Sequence, residues 1–344
     1  MKKVKLVGTS FSKNGSGVPE RNEVFYSYIS KEIPVEKIDI MDIAKNKFKK
    51  LNTVLARNLT LLQLKEMIAG ENMHVMHTID LCHTLPLFNI SNAARRKIIT
   101  VHDFYPFIKS PGKSMTESFV SILKSGCYKY LSTYDFIFAG TKEIAESLAE
   151  KYGIDRGKIE VQGPIIEYIY SPLANKKGNE KIRIGYINNF SWNKAPILLY
   201  FIKKLKEYKK DDIELVIYGP NFPYGHLIGN DKRVRYLGFL PDSELPKILG
   251  SLDAYLSTST YEGFGIPIAK AKAMKVPVLC YDGFLPEIIK RNTCLWNKEN
   301  LIEMLENRCW EKVNLEAAYN DVLDLRPEKV IQQTLKVYKK VFEL

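Results

Sequence analysis

Short apolar runs alternate with longer amphipathic segments along the chain, and this alternation constrains the fold more than any other feature. Apolar runs that end in glycine or a polar residue are typical of buried parallel strands. The first series is VKLVG (4–8), HVMHTI (74–79), KIITVH (97–102), DFIFAG (135–140) and KIEVQG (158–163). The second series is KIRIGYI (181–187), IELVIYG (213–219), VRYLGF (234–239), LDAYLSTS (252–259) and VPVLCYD (276–282).

Two such series in 344 residues predict an α/β protein with two doubly wound Rossmann-like domains that face each other across a cleft. SPLANKKGNEK (171–181) lacks periodicity and is the candidate linker. We therefore place the N-terminal domain at 1–172 and the C-terminal domain at 173–325. The helical stripe in 326–344 needs a packing partner, and the N-terminal domain is the candidate. Ligands are expected at the carboxyl ends of the strands.

Helix ends are also marked in the sequence. In TKEIAESLAEKYG (141–153), Thr141 is a suitable N-cap and Gly153 a suitable stop. The segment between them has the apolar spacing of one helix face. A helix between these two residues is therefore predicted.

The formal net charge of +12 favours attraction to polyanions, whether nucleic acid, anionic lipid or a phosphorylated substrate. Nucleic acid is not favoured, because the chain has no RNA-binding motif, zinc finger or arginine-rich arm. The lysine-rich segment 43–67 is either an amphipathic contact with an anionic membrane or helices packed on the sheet. Most of the charge is expected to be a solvated face.

The five cysteines are widely spaced and include no C-x-x-C pair, so neither a zinc site nor a disulfide framework is expected. No apolar run is long enough for a signal sequence or a membrane span. These features predict a soluble protein of the reducing cytoplasm, with peripheral membrane contact left open.

YEGFGIPIAKAKA (261–273) reads as a turn into a helix with free amides at its start. Gly263 and Gly265 permit close backbone approach, and the amides of Gly265 and Ile266 would point at an anion such as a diphosphate. The alternative is a packing turn with no ligand. Glu262 favours the functional interpretation, since a carboxylate beside phosphate is costly unless it binds groups such as sugar hydroxyls.

The same stretch resembles the E-x7-E motif of retaining glycosyltransferases of the GT-B fold, especially glycosyltransferase family 4, without a gap from Glu262 to Val278. TVHD (100–103) and GPIIEYIYSP (163–172) extend the resemblance into the first domain. It implies transfer of a sugar from a nucleotide-diphosphate sugar with retention of configuration, without a metal or any other cofactor. The acceptor, a glycan, lipid or protein, stays open and is expected on the first domain.

The resemblance also implies residue roles. Glu262 and His102 take the catalytic positions, Glu262 at the donor-sugar hydroxyls and His102 close to the same sugar. Lys194 matches the lysine that binds the diphosphate. The candidate donor-binding residues are Gly15, Gly17, Asn188, Lys194, Tyr218, Gly219, Leu240, Gly263, Phe264, Gly265, Ile266 and Lys270.

Two positions depart from the family pattern. Lys270 stands where the motif has its second carboxylate, and Asn188 stands where an arginine is usual. Either Lys270 replaces that arginine as a diphosphate or ribose contact, or it pairs with Glu262 and the protein is a non-catalytic nucleotide- or glycan-binding member. At about 100° per helical residue, Lys272 points away from Lys270 and is expected to face solvent.

Overall fold

The computed structural model describes residues 3–12, 17–49, 59–60, 63, 75–80, 96–103, 126–173, 180–228, 231–241 and 243–343. The chain forms two compact units. The first unit contains Met1–Ile165 and Pro327–Leu344, and the second contains Ile166–Arg326. The chain thus passes between the units at 165/166 and at 326/327, whereas the sequence placed these boundaries at 172/173 and 325/326.

The first unit is built on a parallel sheet of six strands within the described residues, in the order β2-β1-β3-β4-β5-β6. Its strands are β1 (Val4–Gly8), β2 (Val35–Asp39), β3 (Val75–Thr78), β4 (Lys97–Val101), β5 (Phe136–Ala139) and β6 (Ile159–Val161). The central strands are buried over most of their length because helices cover both faces of such a sheet.

The helices of the first unit are α1 (Val18–Ile29), α2 (Ile40–Lys47), α3 (Lys142–Tyr152) and α11 (Pro327–Glu343). The predicted ends of α3 are confirmed. Thr141 accepts a hydrogen bond from the amide of Ile144, and Gly153 ends the helix in the left-handed conformation at φ 64°. Helix α11 buries Val330, Val337 and Val341 against the apolar cluster of the first sheet.

The second unit contains a second parallel sheet, again of six strands in the described residues, in the order β12-β11-β10-β7-β8-β9. The strands are β7 (Ile182–Ile187), β8 (Ile213–Tyr218), β9 (Val234–Gly238), β10 (Ala254–Ser257), β11 (Val278–Tyr281) and β12 (Cys294–Trp296). The prediction of two doubly wound α/β units is therefore confirmed.

Seven helices, numbered along the described chain, connect and cover these strands. They are α4 (Ala195–Glu207), α5 (Gly225–Ile228), α6 (Leu245–Ser251), α7 (Ile266–Ala273), α8 (Glu287–Lys290), α9 (Leu301–Glu306) and α10 (Leu315–Asn320). One face of the sheet buries α4 and α9, and the other buries α6 and α7. Helix α7, which starts in the glycine-rich motif, is buried from Ile268 to Ala273.

The cysteine prediction is wrong in one respect: Cys294 and Cys309 form a disulfide, with their Cα atoms 5.9 Å apart. They are fifteen residues apart in sequence and carry no motif. The fold brings them together because β12 is followed by α9 and a short 3₁₀ turn that begins at Cys309. Among the described residues, no helix is both long and apolar enough to cross a membrane.

Candidate active site

The candidate donor residues of the second unit lie at the carboxyl edge of its sheet, where the turns that follow neighbouring strands meet. Asn188 and Lys194 follow β7, and Glu262 follows β10, the strand next to β7. Tyr218 ends β8, and Leu240 lies two residues beyond β9. The carboxyl edge of a parallel sheet is the usual ligand-binding edge of this class of fold.

Glu262 is held in one orientation by two contacts. The Ser259 hydroxyl donates to its Oε1 over 2.6 Å, and the Lys194 ammonium lies 3.0 Å from the same oxygen. The Lys194 and Glu262 side chains are 12% and 18% exposed. Both of these contacts are made to Oε1. This leaves Oε2 as an acceptor for the hydroxyl groups of a ligand.

The turns after β7 and β10 are tied together by hydrogen bonds through Asn193 and Lys194. The Asn193 side-chain amide donates to the carbonyl of Tyr261 over 2.9 Å, and the amide of Thr260 donates to the carbonyl of Asn193 over 2.9 Å. The Thr258 hydroxyl donates to the carbonyl of Lys194 over 3.0 Å. These bonds explain how residues 68 positions apart form a fixed pair.

The start of α7 presents backbone amides that have no acceptor among the described residues, next to this pair. Gly265 is the N-cap residue with φ 94° and ψ 49°, a conformation that other residues rarely adopt. Pro267 occupies the first turn and has no amide, so Gly265 and Ile266 carry the amides that lack an intrahelical acceptor. Two amides and a helix dipole at one point favour an anionic ligand.

Residues 172–314 match the family described as "Glycosyl transferases group 1". The chain has the GT-B fold and carries a group 1 glycosyltransferase domain. The match begins in the candidate linker, ends directly before α10 and includes Lys194, Glu262 and α7. The carboxylate, the ammonium group and the helix start described above therefore all lie in the group 1 domain.

Known relatives agree with this assignment. The O-antigen chain mannosyltransferase B of Escherichia coli is 28% identical over 114 residues, which are 31% of this chain and only 30% of that protein. A glycosyltransferase from Rickettsia africae has 19% identity, a TM-score of 0.69 and coverage of 99% of both chains. Anabaena HepE in complex with UDP and glucose has 15% identity, a TM-score of 0.64 and coverage of 99% and 100%. The two structures share the fold with this chain.

Within the group 1 domain, Lys270 is almost buried, with 7% exposure, and its Nζ lies 4.5 Å from the centre of the Tyr170 ring. Glu262 pairs with Lys194. The expected alternative in which Lys270 pairs with Glu262 is therefore wrong. Lys270 contacts the segment 166–173, at which the chain enters the second unit.

The prediction that Lys272 faces solvent is also wrong, since its side chain is fully buried. Its ammonium donates to the carbonyls of Ile288 and Arg291 over 3.0 and 2.7 Å and to Asp321 Oδ2 over 3.0 Å. Burial lowers the pKa of Lys272, and the hydrogen bond with Asp321 opposes that shift. Lys272 is buried although it points away from Lys270, because α7 is covered on both sides, by the sheet and by α10.

The remaining donor candidates of the group 1 domain surround the turns after β7, β8 and β9. The amide of Asn188 donates to the carbonyl of Tyr218, and Gly219 donates to the carbonyl of Gly238. The Tyr218 side chain lines a cavity together with Arg183 and Arg235, on the face of the sheet. Phe264 is buried in the apolar core, whereas Leu240 is half-buried and Gly263 follows Glu262 directly.

In the first unit, His102 follows β4, and its Nε2 donates to the carbonyl of Ile79 over 2.6 Å. Because a carbonyl only accepts, Nε2 carries a proton. Gly17 precedes α1 with φ 76°, and Gly15 lies outside the described residues. Most of the segment 43–67 also lies outside them. No cluster of three or more His, Cys, Asp or Glu residues suited to a metal occurs among the described residues.

Two residues of the site were not singled out from the sequence. Ser259 orients Glu262, and Asn193 ties the two turns together. The signal for Ser259 was present, since a serine three residues before a carboxylate can reach it within one turn of chain. Asn193 had no comparable signal, because its partner is 68 residues away.

Proposed function

We propose that this protein is a retaining glycosyltransferase that moves a sugar from a nucleotide-diphosphate sugar to an acceptor without a bound metal. The observation that carries the proposal is the Glu262 carboxylate, held by Ser259 and Lys194 beside the start of α7. These residues lie in the region that matches the group 1 family. That a solved relative in this fold is in complex with UDP and glucose supports a nucleotide-sugar donor.

The donor diphosphate would lie at the amides of Gly265 and Ile266. Lys194 would turn from Glu262 to phosphate oxygens, since its ammonium is carried on a flexible four-carbon chain. Charge that develops on the leaving diphosphate would then be balanced by one side chain and one helix start. This is the basis for proposing that no metal is required.

Glu262 would orient the sugar through Oε2, which the Ser259 hydroxyl leaves available by holding Oε1. The family mechanism implies an oxocarbenium-like transition state with attack from the leaving-group face, so Glu262 positions and polarises the sugar. His102, the other candidate catalytic residue, is in the first unit and is held by its hydrogen bond to the carbonyl of Ile79.

The test is a donor-hydrolysis assay with UDP-, GDP- and ADP-sugars, run with EDTA and with added Mg²⁺. We expect slow release of one nucleotide in both conditions and its loss in Glu262→Gln. Anomeric configuration of the released or transferred sugar is then read by NMR, and inversion contradicts the retaining mechanism. A requirement for Mg²⁺ contradicts metal independence.

The second candidate function is a non-catalytic nucleotide- or glycan-binding protein, which the buried position of Lys270 on Tyr170 favours. It predicts a rise in melting temperature with a nucleotide-sugar but no hydrolysis of any donor. Lys270→Glu separates the roles of this lysine. Weaker donor binding in Lys270→Glu supports Lys270 as a diphosphate or ribose contact, and tighter binding shows that it never held the donor.

A further inference from the structure

The turn after β11 exposes an aromatic ring next to the candidate catalytic carboxylate. Phe284 is 74% exposed. Its ring lies parallel to that of Tyr261, with the centroids 5.9 Å apart and an angle of 8° between the planes. Tyr261 is only 7% exposed. The two rings form an offset stack with a buried inner member and an outer member open to solvent.

Backbone contacts fix this ring relative to Glu262. The amide of Phe284 donates to the carbonyl of Thr260 over 2.9 Å, and the amide of Glu262 donates to the carbonyl of Phe284 over 3.3 Å. Gly283 permits this approach, since a Cβ there would lie 2.7 Å from the carbonyl oxygens of Ser259 and Thr260. The turns after β10 and β11 are therefore joined by backbone hydrogen bonds into one unit.

The exposed ring is not needed to close the core of the second unit. Leu285 and Ile289, which follow in the same turn and in α8, are buried at 8% and 0% exposure. The Lys290 ammonium lies 2.6 Å from Asp282 Oδ1, which holds the preceding residues of the turn. Single exposed apolar residues are common. Phe284 differs from them because its backbone is held rigidly and its ring is oriented by a second aromatic residue.

The strand order places Phe284 beyond the sugar end of the proposed donor site. Along the edge from β9 through β8 and β7 to β10, the donor candidates run from Leu240 through Lys194, the proposed diphosphate contact, to Glu262, the proposed sugar contact. The next strand is β11, and Phe284 follows it. A group that approached the proposed sugar position from this side would meet the open face of the Phe284 ring.

We propose that Phe284, supported by Tyr261, is an acceptor subsite that stacks on the apolar face of a pyranose ring. This inference rests on the proposed function. One flat ring beside Glu262 matches the size of one sugar unit, and the C–H groups on a pyranose face complement the negative face of an aromatic ring. The acceptor is therefore a glycoside, and this contact comes from the second unit.

The experiment compares wild type with Phe284→Ala and Phe284→Tyr. Phe239→Ala is the matched control, since Phe239 is 62% exposed and lies after β9, at the opposite edge of the sheet. The acceptor probes are methyl glycosides of glucose, galactose, mannose and N-acetylglucosamine. Initial transfer rates are measured at saturating donor, and donor hydrolysis is measured without acceptor.

We expect Phe284→Ala to raise the KM for the methyl glycoside about tenfold with donor hydrolysis unchanged. The KM of Phe284→Tyr for the methyl glycoside should stay within about twofold of the wild-type value, since the aromatic ring is kept. Phe239→Ala should leave the acceptor KM unchanged. An unchanged acceptor KM in Phe284→Ala overturns the proposal. Equal losses of hydrolysis and transfer also overturn it, because the ring then contacts the donor sugar.

A second measurement separates this proposal from the proposed function. Saturation-transfer NMR reports binding of the methyl glycosides without any turnover. If wild type hydrolyses no donor, the proposed function fails, but a glycoside signal that disappears in Phe284→Ala still supports the subsite. A signal that persists in Phe284→Ala, or no glycoside binding to wild type, overturns it.

Discussion

Two lysine–carboxylate pairs in the second unit differ in their surroundings. Glu262 of one pair precedes α7, and Lys272 of the other lies on α7. Lys194 and Glu262 meet at the strand edge with 12% and 18% of their side chains exposed. Lys272 and Asp321 meet beneath α7 with 0% and 7% exposed. A pair near water can exchange partners at low cost, whereas a buried pair cannot be broken without leaving a charge unsolvated.

The surrounding acceptors reinforce the contrast. All three donors of the Lys272 ammonium are used, by two carbonyls and Asp321. Asp321 is shared with Arg291 and with the side-chain amide of Asn292. Glu262, by comparison, has its described contacts on one oxygen only. We infer that the Lys272–Asp321 pair maintains the fold around α7 and that the Lys194–Glu262 pair is arranged to receive a ligand.

The largest expected effect is on stability. Lys272→Ala should lower the free energy of unfolding by about 3 kcal/mol, because it leaves two buried carbonyls without a donor and removes the buried ammonium that pairs with Asp321. Urea denaturation of the full chain measures this loss of unfolding free energy. The double variant Lys272→Met/Asp321→Leu is the control and should be more stable than Lys272→Ala. Equal stability of wild type and Lys272→Ala contradicts the assigned role.

The next effect is on catalysis. Glu262→Gln should lower the rate of donor hydrolysis on the order of a hundredfold, because the amide cannot polarise the sugar hydroxyls as a carboxylate does. Its melting temperature should stay close to that of wild type, since the side chain is partly exposed and of the same size. Loss of folding in Glu262→Gln would instead place this residue with Lys272 as a structural group.

The third effect is on donor affinity. Lys194→Ala should weaken nucleotide-sugar binding about tenfold or more, since a charge-assisted contact to phosphate is lost, and should cost less than about 1 kcal/mol of stability. Isothermal titration calorimetry measures the affinity. Lys204→Ala, which removes another lysine from an exposed pair on α4, is the control and should bind the donor as wild type does.

The smallest effect is a pH dependence that distinguishes the buried pair. Burial lowers the pKa of Lys272 below the value of 10.5 that an unfolded chain would have. Between the lowered pKa and 10.5, the unfolded state binds more protons, so stability from this group rises with pH. The unfolding free energy of wild type minus that of Lys272→Met should therefore increase as the pH rises through that window. A decrease contradicts the direction of the shift.

Much of the fold followed from sequence patterns. Each of the ten apolar runs contains a strand, and Thr141 and Gly153 mark the ends of α3 as expected. Two strands were missed, β2 with the sequence VEKID and β12 with CLW. The first carries charges at three of its five positions and the second is only three residues long, and both lie at the outer edge of a sheet. Such edge strands lack the continuous apolar run of a central strand.

The candidate site was predictable where its residues are close in sequence. Glu262, Gly265 and the start of α7 at Ile266 lie within five residues of chain, so their mutual geometry follows from the turn and helix that they form. The pairing of Glu262 with Lys194 rather than with Lys270 was not predictable. It depends on the bonds that tie Asn193 to the turn after β10, and those bonds join residues far apart in the chain.

By itself, the sequence determined the two βα series, the position of the glycine-rich turn and the carboxylate that precedes it, because these features depend on local periodicity and backbone preference. Only the tertiary structure decided that Lys272 is buried, that Lys194 pairs with Glu262 and that Phe284 lies open beside it. The physical reason is that burial and ion pairing depend on which distant elements pack against a residue. A helical wheel or a motif does not contain that information.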